Sequence, residues 1–248
     1  AGIGYYVPKN VYTNTDLSRF MDTSDEWIQE RTGIKERRFA DRLEETTTTM
    51  GVEAAKIAIE RAGITAQDVD FIIFATLSPD YYFPGCGVLL QREMKMKEIG
   101  ALDIRNQCSG FVYALSVADQ FIKTGMYKNI LVVGSEKHSF AMDFETRSRN
   151  VSVIFGDGAG AVVLQPAQKE GQGILSTHLH SDGADAELLA MFYPGSNANK
   201  WLKDKPGYPD QELGGLFMTS EQLESGAALP YMDGPAVFKK AVVKFPEV

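Results

Sequence analysis

Cys108 is the residue whose position in the sequence best suits nucleophilic chemistry. Residues 101–104 ahead of it have the composition of the end of a buried strand. Residues 109–123 behind it carry apolar side chains at helical spacing, with Gly125 as a stop. We therefore expect the cysteine on the first turn of a helix that rises from a sheet. Unpaired N–H groups and the helix dipole at such a turn bias a thiol toward thiolate, the form that attacks carbonyl carbon.

The helix end alone activates a thiol only in part. It stabilises a negative charge by at most about 2 kcal/mol, so a strong nucleophile would also need a base or a cationic partner. A lone cysteine is often just a small buried apolar residue, and position by itself does not favour the catalytic interpretation. The surrounding elements do favour it, because reactive crevices of parallel sheets lie beyond the carboxyl ends of their strands.

The elements around Cys108 alternate between strand and helix, which predicts a parallel sheet with helices on both faces. The expected helices are Thr23–Arg31, opened by a capping box and ended by Gly33, then Thr47–Ala62 with small residues for close packing, Val88–Met96 and Pro235–Phe245. The expected strands are Gly2–Val7, Val69–Leu77, Ala101–Ile104, Asn129–Gly134 and Ile174–His180.

The glycine cluster at residues 156–160 resembles a phosphate loop, but a strand follows it rather than a helix, so no helix N-terminus is available for phosphate. Strands at Val151–Phe155 and Ala161–Gln165 joined by this cluster would form a hairpin. We expect a first domain at residues 1–166 and the beginning of a second at 171–248. The second contains a long irregular insert at 184–230.

Composition excludes several classes of function. The chain has 248 residues, 44% of them hydrophobic, and a net charge of −8, which gives nucleic acid no global electrostatic attraction. Its apolar runs fall short of the ~18 residues that a membrane span needs, and no signal-peptide pattern opens it. The two cysteines, Cys86 and Cys108, indicate a reducing cytoplasm. They lie far apart in sequence and no histidine pair has ligand spacing, so no metal site is predicted.

Five stretches, taken together and in order, resemble the β-ketoacyl-acyl carrier protein synthase III group of thiolase-like condensing enzymes. They are residues 22–28 (DTSDEWI), 31–34 (RTGI), 108–119 (CSGFVYALSVAD), 154–161 (IFGDGAGA) and 176–183 (STHLHSDG). The resemblance covers nearly all of the chain. It implies an α/β fold of two similar halves in αβαβα layers, with the second half incomplete here.

The resemblance also implies an activity. Cys108 would take an acyl group from acyl-CoA and condense it with malonyl-acyl carrier protein, with loss of carbon dioxide and without a cofactor. The backbone N–H of Cys108 would help to form the oxyanion hole. Coenzyme A contacts would map onto Trp27, Arg31, Thr32, Arg149, Ile154, Phe155, Met232, Gly234 and Phe238. Trp27 and Arg31 would sandwich the adenine. Phe83 would lie at the acyl pocket and reach into a second copy of the chain, so the resemblance implies a homodimer.

The sequence departs from the family pattern in two respects. The family's catalytic His and Asn have no matching residues in this chain, and His138, His178 and His180 do not fall at that position. The insert at 184–230 is longer than the corresponding family segment, so the resemblance does not specify which acyl group the site accepts. Two alternatives therefore stand beside the condensing enzyme: a thiolase-like acyltransferase with another acceptor, and a non-catalytic or truncated partner subunit.

Overall fold

The computed structural model describes residues 1–192, 195–196 and 220–247. In chain order the helices are α1 (Asn14–Leu17), α2 (Asp25–Thr32), α3 (Thr47–Arg61), α4 (Cys86–Glu93), α5 (Gly110–Lys123), α6 (Arg149–Ser152), α7 (Ser220–Glu224) and α8 (Gly234–Lys244). The strands are β1 (Gly2–Tyr6), β2 (Asn10–Thr13), β3 (Glu36–Phe39), β4 (Phe71–Ala75), β5 (Gly100–Ile104), β6 (Ile130–Glu136), β7 (Gly158–Leu164), β8 (Leu189–Ala190) and β9 (Tyr231–Met232).

The chain divides into two compact units. The first comprises residues 1–13, 35–140 and 155–179, and the second comprises residues 14–34, 141–154 and 180–248. The first unit contains a five-stranded sheet in the order β1-β7-β6-β4-β5 and the antiparallel pair β2–β3. The domain boundary expected near residues 166–171 stays a prediction.

The sheet is mixed, so the prediction of a parallel sheet was only partly right. β4 pairs parallel with β5 and with β6, whereas β7 runs antiparallel to both β6 and β1. Strands buried on both faces have the same apolar composition whichever way they run, so the sequence carries little signal for direction. β5 is an edge strand with Leu102 37% exposed, rather than the buried strand we expected.

Helices cover both faces of the sheet, as predicted. Side chains alternate between the faces along each strand: Ile72 and Phe74 of β4 belong to the cluster beneath α3 and α4, and Ile73 and Ala75 to the cluster beneath α5. α3 presents buried Ala54, Ala55 and Ala58 to the sheet. Because these residues are small, the backbone of α3 packs closely against Gly2 and Gly4 of β1.

The second unit contains α1, α2, the pair β8–β9, and helices α6, α7 and α8. α2 ends at Gly33, which adopts the left-handed conformation (φ 71°) as its C-cap. The N-cap is Ser24, whose side chain accepts from Trp27 N–H, rather than the predicted Thr23. α8 begins with a similar cap, because Asp233 accepts from Ala236 N–H at 3.1 Å.

Two predicted strands are absent from the described residues. Residues 151–155 do not form half of a hairpin, because α6 and the turn after it occupy this β-branched stretch and β7 alone follows. Residues 174–180 have an alternating pattern but belong to none of the described sheets. Most of the insert predicted at 184–230 lies outside the described residues. Among the helices that are described, none has the length and apolar character to cross a bilayer.

Gly4→Ala should destabilise the first unit, because a Cβ at Gly4 would lie 2.1 Å from the carbonyl oxygen of Ala54. Overpacking against backbone costs about 1–3 kcal/mol in free energy of unfolding. Gly160→Ala is the matched control, since Gly160 pairs with Tyr5 across β1–β7 and has open space at its Cβ position. Urea denaturation should find the control within about 0.5 kcal/mol of the wild type. Equal stability of the two variants would refute the close approach of β1 and α3.

Candidate active site

Cys108 lies in a single 3-10 turn, Gln107–Ser109, between the end of β5 and the start of α5. Its side chain is exposed. Helix α5 begins at Gly110, so Cys108 lies two residues before the helix and not on its first turn. The predicted position of the thiol at the strand-to-helix junction is right, but the helix begins slightly later than predicted. The thiol is thus accessible at the carboxyl edge of the sheet.

The turn that carries the thiol has an unusual backbone. Gln107 has φ 46°, in the left-handed region that non-glycine residues seldom occupy. Asn106 and Ser109 brace it, since the Ser109 hydroxyl donates to the Asn106 carbonyl at 3.2 Å. Gly110 N–H closes the turn on the Gln107 carbonyl. Backbone in sparsely populated conformations persists only where its surroundings fix it, so the position of Cys108 is strongly constrained.

Close packing beneath α5 supplies that constraint. A Cβ on Gly110 would lie 3.5 Å from the Ala75 side chain at the end of β4. A Cβ on Gly134 of β6 would meet the Phe111 ring at 3.0 Å. The first turn of α5 therefore lies almost directly on the carboxyl ends of two parallel strands, β4 and β6, and β4 is also the strand that pairs with β5.

Cys86 provides a contrast. It is fully buried at the first position of α4, and burial raises the pKa of its thiol to about 11, although a hydrogen bond with Thr48 partly opposes this. A thiol with such a pKa is overwhelmingly protonated at neutral pH and unreactive. Of the two cysteines, Cys108 is the one available for chemistry.

Trp27, Arg31 and Arg149 form a cluster in the second unit. The Arg31 guanidinium lies 4.4 Å from the centroid of the Trp27 ring, and that of Arg149 lies 4.8 Å from it. Arg149 also donates to the Asp22 carbonyl at 2.6 Å. Two cations on one partly exposed indole form a site suited to an anion with an aromatic group. Arg31 contacts the indole directly, so an adenine could stack between them only after the guanidinium moved.

The other residues predicted to contact coenzyme A belong mostly to the same unit. Thr32 ends α2, where its hydroxyl donates to the Ile28 carbonyl at 2.7 Å. α6, which begins with Arg149, contacts β9 and hence the strand that contains Met232. The remaining predicted residues of this unit are Ile154, which follows α6, Gly234 at the start of α8, and Phe238, which is 70% exposed.

Phe155 and Phe83 belong to the first unit. Phe155 stacks on His138 with ring centroids 4.9 Å apart. Phe83 is 81% exposed, beside Tyr82 at a centroid distance of 6.2 Å. The histidine partner of Phe155 was not predicted, since neither residue's position in the sequence indicates that contact.

Sequence reasoning also missed two carboxylates near the carboxyl edge of the sheet. Glu136, the last residue of β6, accepts from Leu77 N–H at 2.9 Å and from residues on either side of Leu77. Asp157, 7% exposed, accepts from Ala40 N–H at 2.7 Å and Ser139 N–H at 2.9 Å. Glu136 could have been found, because it lies at the carboxyl end of a strand, the edge of the sheet that Cys108 also occupies. Asp157 lies within the glycine cluster at residues 156–160. The cluster therefore holds a buried carboxylate that joins the segments containing Ala40 and Ser139.

No metal site emerges in the part of the chain that the structure describes, where His, Cys, Asp and Glu form no group of three or more that could hold an ion. His178 is exposed, and its Nε2 lies 3.2 Å from the Ser176 hydroxyl.

Iodoacetamide at neutral pH should alkylate Cys108 and leave Cys86 unmodified, because only the first thiol is exposed and the second has a pKa of about 11. Intact-mass spectrometry of the native protein should show one adduct. Cys108→Ser should show none, and Cys86→Ser, the matched control, should again show one. An adduct on Cys86 in the folded protein would contradict the burial of that thiol.

Comparisons with known proteins agree with this architecture. Residues 102–183 match the family model for 3-oxoacyl-[acyl-carrier-protein] synthase III. The β-ketoacyl-[acyl-carrier-protein] synthase III of Ehrlichia canis is 49% identical over 76% of this chain and 58% of its own length. The corresponding protein of Aquifex aeolicus is 51% identical over 76% of this chain and 59% of its own length. The chain thus spans about three fifths of the length of these curated relatives.

Solved structures give the same result. The crystal structure of 3-oxoacyl-[acyl-carrier-protein] synthase III from Aquifex aeolicus superposes with a TM-score of 0.81 at 42% identity, covering 100% of this chain and 68% of that one. The Thermus thermophilus synthase III structure gives 0.78 at 36% identity, covering 97% and 67%. The predicted α/β, thiolase-like fold is confirmed. The chain belongs to the 3-oxoacyl-[acyl-carrier-protein] synthase III family.

Proposed function

We propose that this chain carries the nucleophile of a condensing acyltransferase that starts fatty acid synthesis. The Cys108 sulfur attacks the carbonyl carbon of acyl-CoA, a new thioester forms, and coenzyme A leaves as its thiol. The malonyl group on acyl carrier protein then loses carbon dioxide, and the resulting carbanion attacks the Cys108 thioester. This step frees the thiol and yields 3-oxoacyl-acyl carrier protein. The reaction needs no cofactor, because thioester cleavage and decarboxylation drive it.

The observation that carries this proposal is the exposed thiol of Cys108 at a strand-to-helix junction, in a chain that belongs to the synthase III family. Its backbone N–H at the head of α5 is the proposed oxyanion donor. The His and Asn that the family resemblance requires for the condensation have no counterpart in these residues. Both cysteines are free thiols, which supports a cytoplasmic setting as part of the same proposal.

Incubation with acetyl-CoA should add one acetyl group to the protein by intact-mass spectrometry. Cys108→Ser should lack the stable thioester, and Cys86→Ser should be acylated at the wild-type rate. Acylation of Cys108→Ser to the same extent would show that another residue is the nucleophile. Product analysis with malonyl-acyl carrier protein against alcohol and amine acceptors then separates a condensing enzyme from another acyltransferase. No acylation of any variant would favour the non-catalytic subunit.

The cluster of Trp27, Arg31 and Arg149 is the proposed site for the nucleotide end of coenzyme A, with Thr32, Ile154, Phe155, Met232, Gly234 and Phe238 as further contacts. Arginine suits this role because its planar fork binds phosphate oxygens while its face stacks on aromatic rings.

Arg149→Ala should weaken coenzyme A binding by about tenfold or more, the usual loss for a charge-assisted hydrogen bond. Arg92→Ala is the matched control, because Arg92 is exposed in the first unit and pairs with Glu93 at 2.9 Å. Isothermal titration calorimetry with coenzyme A measures both affinities. Equal affinities of the two variants would exclude Arg149 from the site.

A homodimer through the β5 edge belongs to the same proposal. Among the described strands β5 is the last in the sheet order, and unpaired strand edges are templates for pairing with a second chain. Leu102 on β5 is an exposed apolar side chain, as are Tyr82 and Phe83. Antiparallel pairing of β5 with its own copy would give a two-fold, self-complementary interface.

Leu102→Asp should shift the protein toward monomer in sedimentation experiments, because it places a charge in the proposed apolar interface. Leu43→Asp is the control, since Leu43 is 90% exposed in a loop outside that interface. A wild type that is monomeric at all concentrations, or equal dissociation of both variants, would refute this interface.

A further inference from the structure

We infer that Glu136 is a positioning residue that holds the loop bearing Phe83 and thereby sets which acyl chains the site accepts. The inference rests on the proposed function and on the family resemblance, which implies that Phe83 borders the acyl pocket. We use "aromatic loop" for residues 79–85, which contain Tyr81, Tyr82 and Phe83 at 54%, 68% and 81% exposure.

The Glu136 carboxylate accepts four hydrogen bonds from three consecutive residues. Leu77 N–H donates to Oε1 at 2.9 Å. The Thr76 hydroxyl and Ser78 N–H each donate to Oε2 at 3.1 Å, and the Ser78 hydroxyl also donates to Oε2. Hydrogen bonds to an ionised acceptor are about twice as strong as neutral ones. A carboxylate is therefore used here to fix the backbone and side chains of residues 76–78.

These bonds lie beyond the end of the pairing between β4 and β6. The pairing of β4 with β6 ends at Ala75 and Gly134, so the residues that Glu136 holds are the first ones of the connection to the aromatic loop. Ser78 is only 3% exposed, and its carbonyl accepts from the Thr47 hydroxyl at 2.6 Å. The start of the loop is thus fixed from two sides.

Two further carboxylates hold the rest of the loop. Asp80 accepts from the Thr46 hydroxyl at 2.9 Å and from Thr48 N–H at 3.0 Å. Asp103 of β5 accepts from Gly87 N–H at 3.1 Å, just after the loop enters α4. The stems are therefore fixed while the aromatic tip stays exposed. Such a loop keeps a defined shape without burying the tip itself.

Glu136 also bears on the strand that leads to the nucleophile. Thr76, one of its donors, gives its own N–H to the carbonyl of Ile104 at 3.2 Å. Ile104 ends β5, four residues before Cys108. Loss of the Glu136 acceptor would loosen a segment that contacts both the aromatic loop and the approach to the thiol.

The test compares Glu136→Gln with Asp70→Asn. Glutamine keeps the shape of the side chain but replaces one carboxylate oxygen with an NH2 group. Because NH2 cannot accept from the N–H and O–H donors of residues 76–78, at least one hydrogen bond is lost. Asp70 is the matched control at the opposite end of the same two strands, where its carboxylate accepts from Lys128 N–H at 3.2 Å and Asn129 N–H at 3.1 Å. Both variants remove a carboxylate that joins β4 to β6, but only Glu136 holds the residues that lead into the aromatic loop.

Two readouts are needed. Amide hydrogen exchange over residues 76–85 should accelerate by about tenfold in Glu136→Gln, the size of one lost charge-assisted bond, and should not change in Asp70→Asn. The ratio of Cys108 acylation rates for octanoyl-CoA over acetyl-CoA should rise by about tenfold in Glu136→Gln, because a looser loop admits longer chains.

If this variant does not fold, Ser78→Ala keeps the carboxylate and should shift both readouts in the same direction by a smaller factor.

An unchanged exchange rate in a folded Glu136→Gln, an acylation ratio within about twofold of wild type, or the same change in Asp70→Asn would overturn the inference. If wild-type Cys108 is not acylated by either thioester, the proposed function fails. In that case the exchange data still decide whether Glu136 holds the loop.

Discussion

The contact of the first turn of α5 with the ends of two parallel strands is the constraint on which the candidate site depends. Gly110 leaves only van der Waals space above Ala75, and Phe111 fills the space that a side chain at Gly134 would take. Interiors packed at this density are not easily deformed. The turn before α5 therefore has little freedom, and Gln107 keeps a left-handed conformation that it would otherwise avoid. The exposure and the position of Cys108 follow from packing beneath it rather than from bonds to the thiol itself.

Carboxylates have a second structural role around this edge. Glu136 and Asp157 accept from backbone N–H groups that follow strands, and Asp80 accepts from an N–H in the first turn of α3. Such groups have no partner in regular secondary structure, and leaving them buried and unpaired would be costly. Part of the acidic character of the chain is thus used to order the loops at the reactive edge of the sheet. The cations that face an expected anionic ligand, Arg31 and Arg149, are grouped on Trp27 in the other unit.

The helices around the candidate site could be predicted from the sequence, because apolar periodicity and stop signals mark where a helix begins and ends. Residues 110–123 and 47–61 are helices almost as expected, and Gly33 ends α2. The junction at Cys108 followed from these boundaries. The contact of Arg31 with Trp27 is also of this kind, because residues four apart lie on one face of a helix.

The rest depends on contacts between distant parts of the chain. The antiparallel direction of β7 and the edge position of β5 are set by topology, which apolar composition does not report. The β-branched run at residues 151–155 favours a strand, yet α6 and its following turn take that place, since propensity yields to tertiary context. Arg149 on Trp27 and Glu136 on the residues after β4 join segments far apart in sequence, so no local pattern marks them.

The most direct test of the central claim is the reactivity of Cys108 in Gly134→Ala, where the added Cβ would press on the Phe111 ring at 3.0 Å and displace the turn that carries the thiol. Acyl transfer from acetyl-CoA needs precise placement of the sulfur, whereas alkylation by iodoacetamide needs only access. We predict that acyl transfer falls by at least about tenfold while the alkylation rate is unchanged. Acyl transfer at the wild-type rate in a folded Gly134→Ala protein would contradict the claim that packing beneath α5 positions Cys108, the proposed nucleophile.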